Sequence, residues 1–310
     1  MSTMKATRQA FGEALVRLGE KRKDVVVLDA DLAKSTKSEL FAKKFPDRFF
    51  EMGIQEANML GTAAGLALSG KVPFACSFAC FITGRYDQIR LSVAYSEANV
   101  RVVGTHAGIA VGDDGFSQQG LEDIALMRVL PNMAVIQPAD DIETEAVVNY
   151  LADHKGPVFL RLTRQNVERI HPEDFVFEFG KVETLKDGKD AVIFATGAQS
   201  SLSLRAAKTL EAEGLSVRVV NVTTIKPLDV EGVVEAAKAC GGKVITAEDH
   251  SVIGGLGSAV AEALAEHFPA KILRIGVRDV FGESGSPADL YRKHGLDEEG
   301  IARQVRDFLR

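Results

Sequence analysis

Residues 24–31, DVVVLDAD, run apolar without alternation and then close on acids. A strand buried on both faces reads this way, and such strands belong to parallel sheets covered by helices. The pattern recurs in KVPFACSF (71–78), NVRVVGTH (99–106), MAVIQPAD (133–140) and GPVFLRLTR (156–164). Between these runs lie segments with apolar residues at helical spacing, among them RQAFGEALVRLGEKR, RYDQIRLSVAYSE and DIETEAVVNYLADH. Alternating strands and helices predict a doubly wound α/β domain over residues 1–170. The polar, turn-rich stretch 171–189 reads as a hairpin-like linker. Four more strands, DAVIFATG, SVRVVNV, KVITAED and KILRIGV, predict a second layered α/β domain over 190–310.

Composition narrows the function classes. A chain of 310 residues with 46% hydrophobic residues has room for two ordinary cores. The net charge of −6 argues against nucleic acid as the main partner. No apolar run approaches the ~20 residues of a membrane span, and MSTMKATRQAFGEAL has no secretory core. The expectation is a cytoplasmic protein with no membrane partner. Three cysteines, Cys76, Cys80 and Cys240, cannot all pair and lack metal-ligand spacing, so they read as reduced, buried thiols.

Ligands of doubly wound sheets gather at the carboxyl ends of the strands. There this chain places Asp29, Asp31 and Ser35, then Phe78 and Phe81, then His106, Asp113, Asp114 and Gln118, and finally Arg164. Each has an ordinary structural explanation: Asp29 and Asp31 as caps, the phenylalanines as core, His106 as a satisfied loop residue, GDDG as a turn. Convergence on one edge is more informative than any member. Gln55 and Glu56 stand at the head of a helix that starts at Gln55 in MGIQEANM, continues into the small and apolar run LGTAAGLALSG and reads as buried on every side, so Glu56 must be paired, protonated or used. In the second domain IGGLGS resembles a phosphate loop, a weak signal alone. GESG reads as a turn, and His250 and His294 as structural.

ATRQAFGEAL, DADLAKST, FFEMGIQEANMLGTAAGLALSG, CSFACF, GTHAGIAVGDDGFSQQGLEDIALMRVLPNMAVIQPAD and LRLTRQN resemble, in order and spacing, the carboxyl-terminal half of transketolase. NVTTIKPLD and AEDHSVIGGLGSAVAEAL continue the resemblance through the second domain. It implies a thiamine-diphosphate pyrimidine-binding domain followed by a transketolase C-terminal domain. Members hold the cofactor's diphosphate and its Mg2+ or Ca2+ with a GDG segment and an asparagine pair, and no GDG occurs here. The resemblance therefore implies one subunit of a split transketolase, with diphosphate and metal held by a separate N-terminal partner, in a heterotetramer acting on sugar phosphates. It implies roles by position. Glu56 contacts the cofactor's pyrimidine nitrogen and, with His106, is catalytic. Phe81 stacks on the pyrimidine beside Phe78, and Asp31 lies near the cofactor. Arg8, Ser35, His106, Asp114, Gln118 and Arg164 line the sugar-phosphate channel.

Two positions depart from the family. DGPTHQ reads DGFSQQ, which puts Gln118 where members have a histidine; Gln118 hydrogen-bonds but cannot titrate. A tyrosine three residues after the stacking phenylalanine is Gly84, with Tyr86 nearby. A dedicated transketolase for a modified, for example sulfonated or branched, sugar is one alternative. A deoxyxylulose-phosphate synthase-like enzyme, a 2-oxoacid dehydrogenase β-like subunit and a non-catalytic regulatory subunit are others.

Overall fold

A computed structural model describes residues 3–310. Its strands in chain order are β1 Met4–Ala6, β2 Val25–Asp29, β3 Phe49–Glu51, β4 Val72–Phe78, β5 Arg101–Thr105, β6 Ala134–Ile136 and β7 Val158–Arg161. They continue as β8 Asn166–Glu168, β9 Glu183–Lys186, β10 Ala191–Ala195, β11 Val217–Asn221, β12 Thr224–Lys226, β13 Lys243–Ser251 and β14 Lys271–Val277. A seven-stranded sheet runs β12-β6-β7-β5-β4-β2-β3, and a five-stranded sheet runs β14-β13-β10-β11-β9. β1 pairs with β8 apart from both.

The predicted α/β architecture is present. β2, β4, β5 and β7 are buried along their whole length, which explains why they read as apolar runs. Helices cover both faces. Phe11, Leu15 and Leu18 of the first helix pack with Val147, Val148 and Leu151 on one face. Met59, Leu60 and Ala63 pack with Ile89, Val93 and Ile124 in a separate core cluster. From β2 the chain moves outward to β3, then returns to lay β4 on the opposite side of β2. The direction of winding therefore changes at β2 and β4, and a crevice opens beyond their carboxyl ends.

Three segments differ from expectation. Residues 183–186, expected inside a hairpin-like linker, instead pair antiparallel with β11 at the edge of the second sheet. β12, a short piece of the second half of the chain, pairs antiparallel with β6 and covers the edge of the first sheet. Its three residues carry too little periodicity to reveal a partner that far away. RYDQIRLSVAYSE forms a short turn of helix, Tyr86–Gln88, followed by a wider π-helical stretch, Ile89–Tyr95. Among the described residues no helix is long and apolar enough to cross a membrane.

Candidate active site

The crevice beyond β2, β4 and β5 collects most of the expected residues. Glu56 opens the helix Glu56–Leu68 and is buried. Ser77, near the end of β4, donates its hydroxyl to Glu56 Oε1 at 3.0 Å, and no other protein group bonds the carboxylate among the described residues. The helix is not buried all round. Glu56, Met59, Leu60, Ala63 and Ala64 face inward, whereas Leu68 is 72% exposed and Ile54, just before the helix, 82%. The small and apolar residues that suggest full burial serve two faces, only one of which this chain covers itself.

Phe78 and Phe81 lie on either side of the turn from β4 into the helix Ala79–Thr83, their rings near-parallel at 10° and 5.5 Å apart. Phe78 also stacks on His106 at 3.7 Å and 23°. Phe78 is buried and Phe81 half-buried, so Phe81 is the member of this group with a face to offer. A buried carboxylate with one oxygen fixed by Ser77, beside a half-open aromatic platform, suits a flat, nitrogen-bearing heteroaromatic ring.

His106 follows β5 with a positive φ of 56°. Its Nδ1 lies 2.9 Å from Thr105 Oγ1, and its Nε2 lies 3.2 Å from Arg8 Nη1. Arg8 has only protons to give, so Nε2 accepts and Nδ1 carries the hydrogen. Burial, then the charges of Arg8, Arg164 and Lys37, push His106 down to about 3. It is therefore neutral near pH 7. Arg8 also donates to the carbonyl of Ser35 at 2.6 Å, and its buried Nε has no partner among the described residues. Arg164 donates to the carbonyl of Val111. Arg8, Arg164 and Lys37 thus make a cationic margin around His106, suited to a small anion such as a phosphate or sulfonate. Sequence reasoning misses Lys37. It sits in a left-handed turn after a four-residue helix, and nothing in its local sequence marks that geometry.

Other expected residues stand further apart. Asp31 and Asp114 are exposed, and their side chains accept no hydrogen bond among the described residues. Asp29 is a buried structural acid. It accepts from Leu32 N, Thr36 Oγ1 and Ser38 Oγ at 2.7, 2.7 and 2.8 Å, and burial pushes it up to about 6. Gln118 is half-exposed, its side chain reaching only Ser117 among the described residues; its carbonyl accepts from Cys80 Sγ, which ties the loop to the phenylalanine turn. Gly84 is exposed, and Tyr86 lies half-buried.

The phosphate-like IGGLGS loop holds a carboxylate of the chain itself. Glu248 accepts from Leu256 N and Gly257 N at 2.7 and 2.8 Å, occupying the amino end of the helix Leu256–His267. A Cβ at Gly255 would lie 2.0 Å from Glu248 Oε2, so glycine is required by that acid. His250 is buried, donates Nδ1–H to the carbonyl of Ser251, and is pushed down to about 4 chiefly by burial. It is a neutral structural residue.

Residues 3–169 match the family described as transketolase, pyrimidine binding domain, and residues 180–301 match transketolase, C-terminal domain. A protein of Methanocaldococcus jannaschii provisionally named a transketolase C-terminal section is 48% identical over 310 residues, covering 99% of this chain and 97% of that protein. The 6-deoxy-6-sulfo-D-fructose transketolase subunit of Clostridium sp. strain MSTE9 is 41% identical, with 97% and 93% covered. Among solved structures, that of a split gene transketolase, described as an inactive beta4 tetramer, superposes with a TM-score of 0.91 at 51% identity, covering 98% of each chain.

Proposed function

The chain belongs to the transketolase family and corresponds to its C-terminal section, and on that premise we propose that it is the C-terminal subunit of a two-subunit, thiamine-diphosphate-dependent transketolase. The reaction is transfer of a two-carbon ketol unit from a ketose to an aldose, each carrying an anionic group. The observation that carries this reading is the pairing of buried Glu56, held at one oxygen by Ser77, with the Phe78–Phe81 stack at the winding change of the sheet.

When bound, thiamine diphosphate supplies an electron sink for carbon–carbon cleavage. Glu56 and Phe81 would hold its pyrimidine. The free oxygen of Glu56 would share a proton with a ring nitrogen, Ser77 keeping the carboxylate turned that way. Phe81 would take the flat face. His106, neutral with Nε2 as acceptor, would receive a hydrogen bond from a substrate hydroxyl once Arg8 turns from Nε2 to the sugar's anionic end. Arg8, Arg164 and Lys37 would hold the anionic end of the sugar. Asp31 and Asp114, with side chains unengaged among the described residues, can meet cofactor, hydroxyl or partner, and Ser35 completes the channel wall. The diphosphate and its Mg2+ or Ca2+ would be held by an N-terminal partner subunit. The apolar residues Ile54, Leu68, Leu91 and Tyr95, left exposed around the helix of Glu56 and the neighbouring π-helical stretch, support such a partner. So does the similar split-gene protein, whose tetramer of one kind of chain is inactive.

The sugar's anionic group is a phosphate or a sulfonate. Gln118 in place of the family's histidine, together with the similar sulfofructose-named subunit, supports the sulfonate as a second reading. The purified chain alone should give negligible transfer; mixing it with an N-terminal partner, cofactor and Mg2+ should restore turnover. A panel of phosphorylated and sulfonated ketoses then identifies the donor. Robust turnover without any partner would overturn the two-subunit reading.

A further inference from the structure

The loop that carries His106 through Gln118 belongs to the first sheet, yet much of what fixes it comes from the second. Asp249, two residues before the end of β13, is buried; its Oδ1 accepts from Ile109 N at 2.9 Å, across 140 residues of chain. Its Oδ2 accepts from the hydroxyl of Tyr291 at 2.8 Å. The same hydroxyl accepts from Gln165 Nε2 at 2.8 Å, and Gln165 is the residue after Arg164. One carboxylate is therefore joined to the start of the sugar loop and, through Tyr291, to the segment bearing the anion-binding arginine. Arg164 in turn donates to Val111 within that loop. The backbone carbonyls of Asp249 and Gly120 both accept from buried Arg161, at 3.0 and 3.1 Å. Gln119 links the carbonyls of Ile109 and Glu283. Gly108 approaches Asp249 so closely that a Cβ would lie 2.1 Å from Oδ2.

We infer that Asp249 and Tyr291 of the C-terminal domain are positioning residues that set the sugar loop and Arg164 in register with one another. The inference rests on the transfer reaction proposed above for what the loop binds, though not for how the loop is held. It gives the second domain a part in substrate recognition, while its own glycine-rich loop is filled by Glu248. A loop carrying donors and acceptors for a sugar must be held to within a fraction of an ångström to be productive. Here the holding group is a buried carboxylate whose acceptor positions face an amide and a phenol.

Two variants test this. Tyr291→Phe removes one hydroxyl and keeps the ring's packing; Asp249→Asn keeps the shape and removes the charge. In the full chain, amide hydrogen exchange at Ile109 and Ala110 should speed up about tenfold in either variant, the loss of one strong hydrogen bond. In the reconstituted pair, KM for the anionic ketose should rise about tenfold, while deuterium exchange at the cofactor's thiazolium carbon, which depends on Glu56, stays at the parent rate. His171→Gln, which loosens a different junction of the two domains, should change neither loop exchange nor KM. Unchanged loop exchange, or faster exchange with unchanged KM, would overturn the positioning role. If the parent pair shows no transfer at all, the proposed reaction fails, and loop exchange alone still decides whether the C-terminal domain holds the loop.

Discussion

Glu56 is buried in the first turn of its helix, where the backbone amides have no partner within the helix. Ser77 satisfies one oxygen and leaves the other for a partner. Glu56→Gln keeps the shape but cannot take up or release a proton. In the reconstituted enzyme this variant should slow deuterium exchange at the thiazolium carbon by about 10²–10⁴-fold, the range of a general acid–base contribution. Unchanged exchange would remove Glu56 from that role. The neighbourhood of Glu56 is legible in sequence because an acid in an apolar helix is conspicuous. Lys37 and Asp249 are not, because a lysine in a polar turn and an acid in AEDHSV each have common local explanations.

Among the elements, the loop 107–120 works as a fixed piece of backbone. It is pinned at both ends, with Gly108 N donating to the carbonyl of Gly120 and Ala107 N to that of Leu162. Gly108 has φ +82°, a conformation that side chains rarely adopt, and its missing Cβ makes room for Asp249. Gly108→Ala should lower unfolding stability by roughly 2–3 kcal/mol through backbone strain and the displaced carboxylate. A denaturant midpoint equal to the parent's would show that the loop yields easily. Gly53, also at positive φ but with open space around it, is the comparison, and Gly53→Ala should cost less because only the strain applies.

Across the molecule, the two domains are joined by charges as well as by β12. His171 lies between Asp140 of the first domain, 2.9 Å from Nδ1, and Glu183 of the second sheet, 2.8 Å from Nε2, with Glu143 nearby. Burial alone would depress its pKa; the hydrogen bonds to Asp140 and Glu183 and the charge of Glu143 outweigh it and hold His171 up at about 10. An unfolded histidine titrates at about 6.5. The folded chain therefore binds this proton more tightly. The stabilisation is whole below about pH 6.5, erodes as pH rises from there, and is gone above about 10. Melting temperature should fall across that window, and His171→Gln should flatten the fall; an unaltered slope in the variant would refute the protonated clasp. Glu143 itself is met by Ala139 N, Asn221 and Thr223, so the cluster is filled by protein partners.

Residue order alone dictates the layered α/β class, since continuous apolar runs between helical stretches have few other ways to bury themselves. It also dictates that polar and aromatic residues gather after the strands, and it carries the family resemblance. The remaining features come from packing in three dimensions. Whether a glycine-rich loop awaits a phosphate or is already filled by Glu248 depends on a contact that no local pattern encodes. So does the reach of Asp249 and Tyr291 across the domain boundary to the loop 107–120 and Gln165, and of β12 to the first sheet. These are long-range pairings, chosen by how the two domains pack and by which buried polar groups must be satisfied when they do.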